Sequence, residues 1–382
     1  MRQSYTLWPV RSMKCPLNPK FYKDADPESV LTCAVKHSVI SMAAYALEKA
    51  GYEGIPDGLE KKFRDARFKA VRKNILLDTE RKSILSHLED EGIRYMPLKG
   101  TILQSIYPEP GMRQMSDNDI LIDSKAEERV KEFMLSRGFR CKKEPVHDCY
   151  YKEPVYNYEM HKQLFPSVTG DGIYDGYYKD IWNKALVCEG LKYGYRLRDE
   201  DFYIYITAHA HKHYDGSGTG IRTLADHYVI NREYAGMDRA YIENELDKLK
   251  LTGFESCIRT LADKLFSIPG DIEAVIAGLP SAQLHMLERI LSSGAYGTEE
   301  NNIISRMKKR GIEGEISGRK RLIYLFKRLF PDRKTLMPLY ALAKYRLLIP
   351  AVWVFRIVRG VLTKSGKIIR EIRIVRDQDK IY

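Results

Sequence analysis

YMPLKGTILQSIYPEPGMRQMSDNDILID, residues Tyr95 to Asp123, is the stretch whose reading decides the fold. Arg94 to Leu98 is short and mostly apolar, the composition of a buried strand. Gly100 breaks that run. Thr101 to Tyr107 can form about two helical turns before Pro108, Pro110 and Gly111 force a loop. Ile120, Leu121 and Ile122 then make a second apolar strand, with Asp117 and Asp119 at its entrance.

Two features of this stretch carry chemistry. Side chains at i and i+2 of a strand share a face, so Asp117 and Asp119 would aim two carboxylates at one spot. Like charges that close repel unless a cation sits between them. Mg²⁺ commonly binds through one or two carboxylates together with substrate phosphates. The second feature is the Gly100-Thr101 turn ahead of a helix, where free N–H groups and the positive dipole end can hold a phosphate. Together they point to metal-assisted phosphoryl or nucleotidyl transfer. Asp is also common in surface turns that bind nothing. The apolar strand behind this pair and the glycine turn before it set it apart.

The order Leu98-Lys99-Gly100, Tyr107-Pro108, Gly111, Arg113 and Asp117-Asn118-Asp119 resembles the uncharacterised nucleotidyltransferase family of the polymerase-β-like nucleotidyltransferase superfamily. The likeness runs from about Leu31 to about Tyr228. It takes in an upstream helical region, an acid-x-His on a later strand (Glu159-Met160-His161), and a helix with paired histidines followed by Arg222 and Asp226. The superfamily's Gly-Gly or Gly-Ser turn is Gly100-Thr101 here, and Thr keeps the hydroxyl. The resemblance implies an α+β fold, with a small mixed sheet as nucleotidyltransferase core flanked by N- and C-terminal helical regions. It implies one or two Mg²⁺ ions on Asp117, Asp119 and Glu159, and an NTP substrate. Lys99, Gly100, Thr101 and Arg113 would contact the nucleotide, and His161, His209, His213, Arg222 and Asp226 would lie towards the acceptor.

Around this centre the chain of 382 residues is long enough for two or three modules. Its 44% apolar and 30% charged residues are those of a soluble globular protein. Residues 1–27 carry four prolines and read as an irregular arm. Residues 28–91 read as a helical prelude, with Val30, Cys33, Ala34, His37, Ile40, Ser41 and Ala44 at helical spacing and a long helix from about Leu59 to Glu91. The core spans 92–196. Ser124 with Glu127 has the pattern of a capping box for a helix running to about Arg137, closed by Gly138. Strands are expected near Phe139–Lys142, Asp148–Lys152 and Val155–Leu164. The last puts Tyr156, Tyr158 and Met160 on one face and Asn157, Glu159 and His161 on the other.

The tyrosine-rich segment 168–180 reads as a loop whose rings either stack on a base or sugar or cap the sheet. A helix from Leu197 to His213 carries His209 and His213 four apart, a spacing that can bind zinc or serve a structural or acceptor-site role. The next helix carries Arg222 and Asp226 one turn apart. Residues 197–305 read as a helical domain without further motifs.

Residues 306–382 differ in charge. They hold 21 Lys and Arg against 6 Asp and Glu, a net of +15 in a chain whose total is +12. The apolar run 347–355, LLIPAVWVF, is shorter than the roughly 20 residues that cross a bilayer. This basic, partly amphipathic tail fits an anionic membrane surface, nucleic acid bound through its phosphates, or a solvated helical tail. Six cysteines without C-x-x-C spacing read as free thiols in a reducing cytosol, neither a zinc site nor a disulfide frame. The N-terminus shows no apolar signal-peptide core. A cytoplasmic protein with peripheral contact at the inner membrane surface is expected.

The residues thus support a Mg²⁺-dependent nucleotidyltransferase in which an acceptor oxygen attacks the α-phosphate of an NTP and pyrophosphate leaves. The alternative is a catalytically inert nucleotidyltransferase-like adaptor anchored by its basic tail to membrane or nucleic acid.

Overall fold

The computed structural model describes residues 26–144, 147–165, 172–267, 272–308, 318–337 and 340–377. The arm up to residue 25, Cys15, Pro145 and the start of the tyrosine-rich segment lie outside the described residues. The chain divides into two compact units: Met1–His211 with Thr219–Ala295, and Lys212–Gly218 with Tyr296–Tyr382.

The first unit begins with α1 (Pro27–Lys36), α2 (Ile40–Lys49) and α3 (Asp57–Asp90). Asp26 caps α1 by accepting from the Ser29 amide at 3.0 Å. The periodic run from residue 28 is two helices rather than one, because Ser38 turns the backbone to φ 54° and His37 is buried with Nδ1 accepting from the Ile221 amide at 3.2 Å. The sheet strands are β1 (Tyr95–Pro97), β2 (Asn118–Ile122), β3 (Arg140–Lys143), β4 (His147–Lys152) and β5 (Tyr156–His161). A one-turn α4 (Gly100–Leu103) follows β1, and α5 (Glu127–Ser136) follows β2.

The strand order is β1-β2-β5-β4-β3. β2 and β5 are parallel, and the other neighbouring pairs are antiparallel. Every residue of β2 is buried, as a strand covered on both faces requires. Alternation sorts the side chains. Ile120, Ile122, Tyr158 and Met160 pack with Leu77, Ile84 and Leu88 of α3 and Val130 and Met134 of α5. Met96, Leu98 and Leu121 face the opposite way, into a core with Tyr203, Ile204 and Tyr205. Each fully buried Leu or Ile contributes roughly 1.5–3 kcal/mol, so this alternation fixes the register and with it the direction of every polar side chain on β2 and β5.

Two local expectations are corrected. Asp123 caps a 3₁₀ turn at Ser124–Ala126, its carboxylate accepting from the Lys125 amide at 3.0 Å, and α5 follows with Ala126 at its N-cap. Glu127 closes no capping box with Ser124, because its carboxylate is held by Lys143 and Lys162. The tyrosine-rich segment contains a helix, α6 (Ile173–Tyr178), in which Tyr178 is buried and Tyr174 bonds His211 Nδ1 at 2.7 Å. Gly138 does close α5, at φ 80°.

The rest of the unit is α7 (Ile181–Lys184), a hairpin of β6 (Leu186–Val187) and β7 (Tyr195–Arg196), and the helices α8 (Asp199–Asp215), α9 (Ile221–Glu233), α10 (Arg239–Lys248), α11 (Thr252–Phe266), α12 (Ile272–Ala277) and α13 (Ser281–Ser293). The last turn of α8 belongs to the second unit. That unit further contains α14 (Glu299–Lys308), α15 (Gly318–Leu329), α16 (Arg333–Leu336) and α17 (Ile349–Asp377). Its small core joins Ile303, Met307, Tyr324 and Val375. No described helix is long and apolar enough to cross a membrane.

Candidate functional site

The parallel pairing of β2 with β5 sets Asp119 beside Glu159. Both lie on the sheet face opposite Ile120 and Met160. His161, two residues on, points the same way. One Asp119, one Glu159 and one His161 ligand atom lie within 4.8 Å of one another. Asp119 is buried, 3% exposed. Its Oδ1 accepts from Lys99 Nζ at 2.6 Å and from His161 Nε2 at 2.7 Å.

The charges sort themselves by environment. Burial alone would raise the Asp119 carboxyl, but the Lys99 ammonium and His161 outweigh it and hold it well below the usual range. Burial works against the charged Lys99, and Asp119 opposite it pushes the ammonium well above its ordinary value. Asp117, just before β2, forms no ion pair among the described residues, and Lys99 only partly offsets its environment. Burial, then the charges of Asp119 and Glu159, push it up to about 6. Ser116 donates to it at 3.1 Å. Lys73 is lowered by burial and partly restored by Asp117.

The glycine turn is tightly built. Lys99 adopts φ 45°, a rare conformation for a side-chain-bearing residue, and this aims its ammonium back across β2. A Cβ on Gly100 would meet Arg113 Nη1 at 2.8 Å. The Thr101 amide donates within the turn to Leu98 O at 3.2 Å, and its hydroxyl donates to Asn118 Oδ1 at 3.3 Å. Asn118 also accepts from Arg81 at 2.8 Å.

Arg113 lies beside the Gly100 turn with its guanidinium engaged elsewhere. Its guanidinium grips Asp226 with two bonds, Nε to Oδ1 at 2.8 Å and Nη2 to Oδ2 at 2.9 Å, and Tyr107 donates to the same carboxylate at 2.7 Å. Arg222 donates to Gln114 O at 3.2 Å. Arg113 and Asp226 therefore tie the loop before β2 to α9. His209 sits half-buried with its ring 6.3 Å from Tyr205, and His213 is exposed. Neither belongs to a metal-ligating cluster among the described residues.

Sequence reading missed three residues here. His147 and Cys149 alternate on β4 and pair with His161 and Glu159, a signal visible as His-x-Cys once β4 is placed. Tyr205 of α8 feels the charges of Lys99, Asp119 and Glu159 and is raised chiefly by burial. Its hydroxyl has no partner among the described residues. A cavity of about 360 Å³ lined by Tyr228, Asn231, Arg239 and Arg259 among others shares no residue with the carboxylates. We place the site at the carboxylates because the reactive groups converge there.

No curated protein and no solved structure matches the chain. The family described as "Uncharacterised nucleotidyltransferase" matches residues 23–267. That span holds the whole mixed sheet, the Lys99-Gly100 turn, the acidic pair and Glu159, and on this match the chain belongs to the uncharacterised nucleotidyltransferase family.

Proposed function

We propose that the chain is a Mg²⁺-dependent nucleotidyltransferase that moves a nucleoside monophosphate from an NTP to an oxygen of an acceptor and releases pyrophosphate. The observation that carries this reading is the meeting of Asp119 and Glu159 on paired strands, with Asp117 raised to about 6 by burial and by their charges. Such a set of oxygen donors short of positive charge fits Mg²⁺. Bound there, the ion would neutralise the triphosphate and the oxygens whose bonds change.

The chain's own residues do the rest. Asp117 and Asp119 hold the ion, with His161 keeping Asp119 oriented. Glu159 faces the acceptor and takes its hydroxyl proton. The acceptor oxygen bonds to the α-phosphorus as the bond to the bridging oxygen of pyrophosphate breaks. Lys99, which pairs with Asp119, turns to the leaving phosphates. Gly100 leaves the turn bare of side chain where they approach.

The test is transfer of label from α-phosphate-labelled NTPs to a panel of alcohol, sugar and protein hydroxyl acceptors. Label in a product other than free nucleotide, lost in Glu159→Gln, supports the reading. The adaptor reading draws on one observation, that Lys99 already supplies Asp119 with a cation. Metal-dependent nucleotide binding without pyrophosphate release would favour it.

For the second unit we propose peripheral docking on an anionic membrane surface at the cytoplasmic side. Phe355, Val358, Leu362, Ile369 and Ile372 recur along one side of α17 and are 48–79% exposed. Arg359 and Arg373 are exposed beside them, and residues 306–382 carry a net +15. An apolar stripe edged by cations suits lipid headgroups. Flotation with phosphatidylserine vesicles but not neutral ones, reduced in Phe355→Glu/Leu362→Glu, is the expected result. Equal flotation with both lipids or neither contradicts it.

A further inference from the structure

We propose that His147, Cys149 and Glu159 form a site for one borderline transition-metal ion of the Zn²⁺ class, next to the carboxylate site but chemically distinct from it. The proposal does not rest on nucleotide chemistry. It rests on the way β4 and β5 pair.

The antiparallel register sets His147 opposite His161 and Cys149 opposite Glu159. Residues two apart on a strand share a face, so these four side chains form a square on one side of the sheet. One ligand atom each from His147, Cys149 and Glu159 lies within 4.8 Å of the others. His147 Nε2 and Glu159 Oε2 lie 3.4 Å apart. Metal–ligand bonds of roughly 2.0–2.3 Å around one tetrahedral ion separate ligand atoms by about 3.5 Å. The site therefore needs only a small side-chain closure.

The donor set also chooses the metal. An imidazole, a thiol and a carboxylate suit Zn²⁺ or Co²⁺, whereas Mg²⁺ prefers oxygen alone. Cys149 is 4% exposed, but the His147 and Glu159 side chains are 23% and 20% exposed, which leaves an entry path and room for water as the fourth ligand. His147 Nδ1 is buried with no partner among the described residues, and Nε2 is the nitrogen that faces Glu159. The thiol loses its proton as the metal binds.

Glu159 stands in both sites. An ion on His147 and Cys149 would hold that carboxylate, so excess Zn²⁺ would oppose any reaction that needs Glu159 free.

The test uses the full chain without nucleotide. Metal-free protein is titrated with Co²⁺ and then Zn²⁺, and the spectrum and stoichiometry are read. One Co²⁺ per chain with a thiolate-to-cobalt charge-transfer band, retained in Asp117→Asn and in excess Mg²⁺, is the expected result. Cys149→Ser should abolish the band. His147→Gln should weaken Zn²⁺ binding by more than the roughly 10- to 100-fold that follows loss of a ligand's supporting hydrogen bond. Both variants should keep the wild-type circular dichroism, and the half-exposed His147 position serves if the buried Cys149 variant misfolds. No Co²⁺ binding, or binding without a sulfur band that persists in Cys149→Ser, overturns the proposal. Because nucleotide is absent throughout, either outcome leaves the transferase reading untouched.

Discussion

Lys99 Nζ lies 2.6 Å from Asp119 Oδ1 in a nearly buried ion pair. The ammonium takes the place a metal ion would take on that carboxylate. Removing one partner of a buried pair costs about 3–5 kcal/mol, because the other charge is left uncompensated. Lys99→Met should therefore melt well below wild type. Millimolar Mg²⁺ should recover part of that loss, since the cation replaces the ammonium. Thermal melts with and without Mg²⁺ check both statements.

Asp117 predicts a pH dependence of the opposite sign from an ordinary ion-paired carboxylate. Its unfolded value is about 3.9, and burial with the neighbouring carboxylates raises it to about 6 in the fold. Folding thus favours its protonated form. Its contribution is stabilising at acidic pH and is lost as pH rises through about 6. A shift of this size corresponds to roughly 3 kcal/mol. Asp117→Asn should raise the melting temperature at mildly alkaline pH and leave it unchanged below the unfolded-state value. Mg²⁺ binding to wild type should strengthen as pH rises through the same range, which titration calorimetry at several pH values would show.

Arg113, Tyr107 and Asp226 hold the loop before β2 against α9. Asp226→Ala strands a buried guanidinium and should cost about 3–5 kcal/mol in a urea melt. Tyr107→Phe removes one hydrogen bond and should cost about 1 kcal/mol. Nucleotide binding per folded molecule should be preserved in Tyr107→Phe, because Arg113 keeps both of its bonds to Asp226.

Gly111 and Gly138 separate conformational strain from collision. Both have positive φ, 77° and 80°. A Cβ at Gly138 meets nothing within 4 Å, whereas at Gly111 it would lie 2.8 Å from the Val71 backbone nitrogen. Gly138→Ala should cost the roughly 1–2 kcal/mol of the left-handed region. Gly111→Ala should cost clearly more, measured as the difference between their denaturation midpoints.

Much of this architecture was legible because it rests on alternation. Ile120 and Ile122 against Asp119, and Tyr158 and Met160 against Glu159 and His161, announce both faces of β2 and β5. Period-two patterning survives in any fold that buries one such face. What stayed hidden depends on pairing between distant strands and helices. Nothing local says that Arg113 will meet Asp226, or that β4 will lay His147 and Cys149 beside Glu159. The Ser38 break between α1 and α2 was hidden for the same reason, since His37 is held by a residue of α9. Asp123 takes the capping role expected of Ser124, which lies inside the 3₁₀ turn, and Glu127 is held by Lys143 and Lys162.

The central claim is that Asp117, Asp119 and Glu159 bind nucleotide through a divalent cation. Isothermal titration of each NTP with Mg²⁺ into wild type and the Asp117→Asn/Asp119→Asn variant tests it most directly. The account predicts binding that requires Mg²⁺ in wild type and is lost in a variant that still folds. Equal binding in both proteins, or none in either, would contradict it.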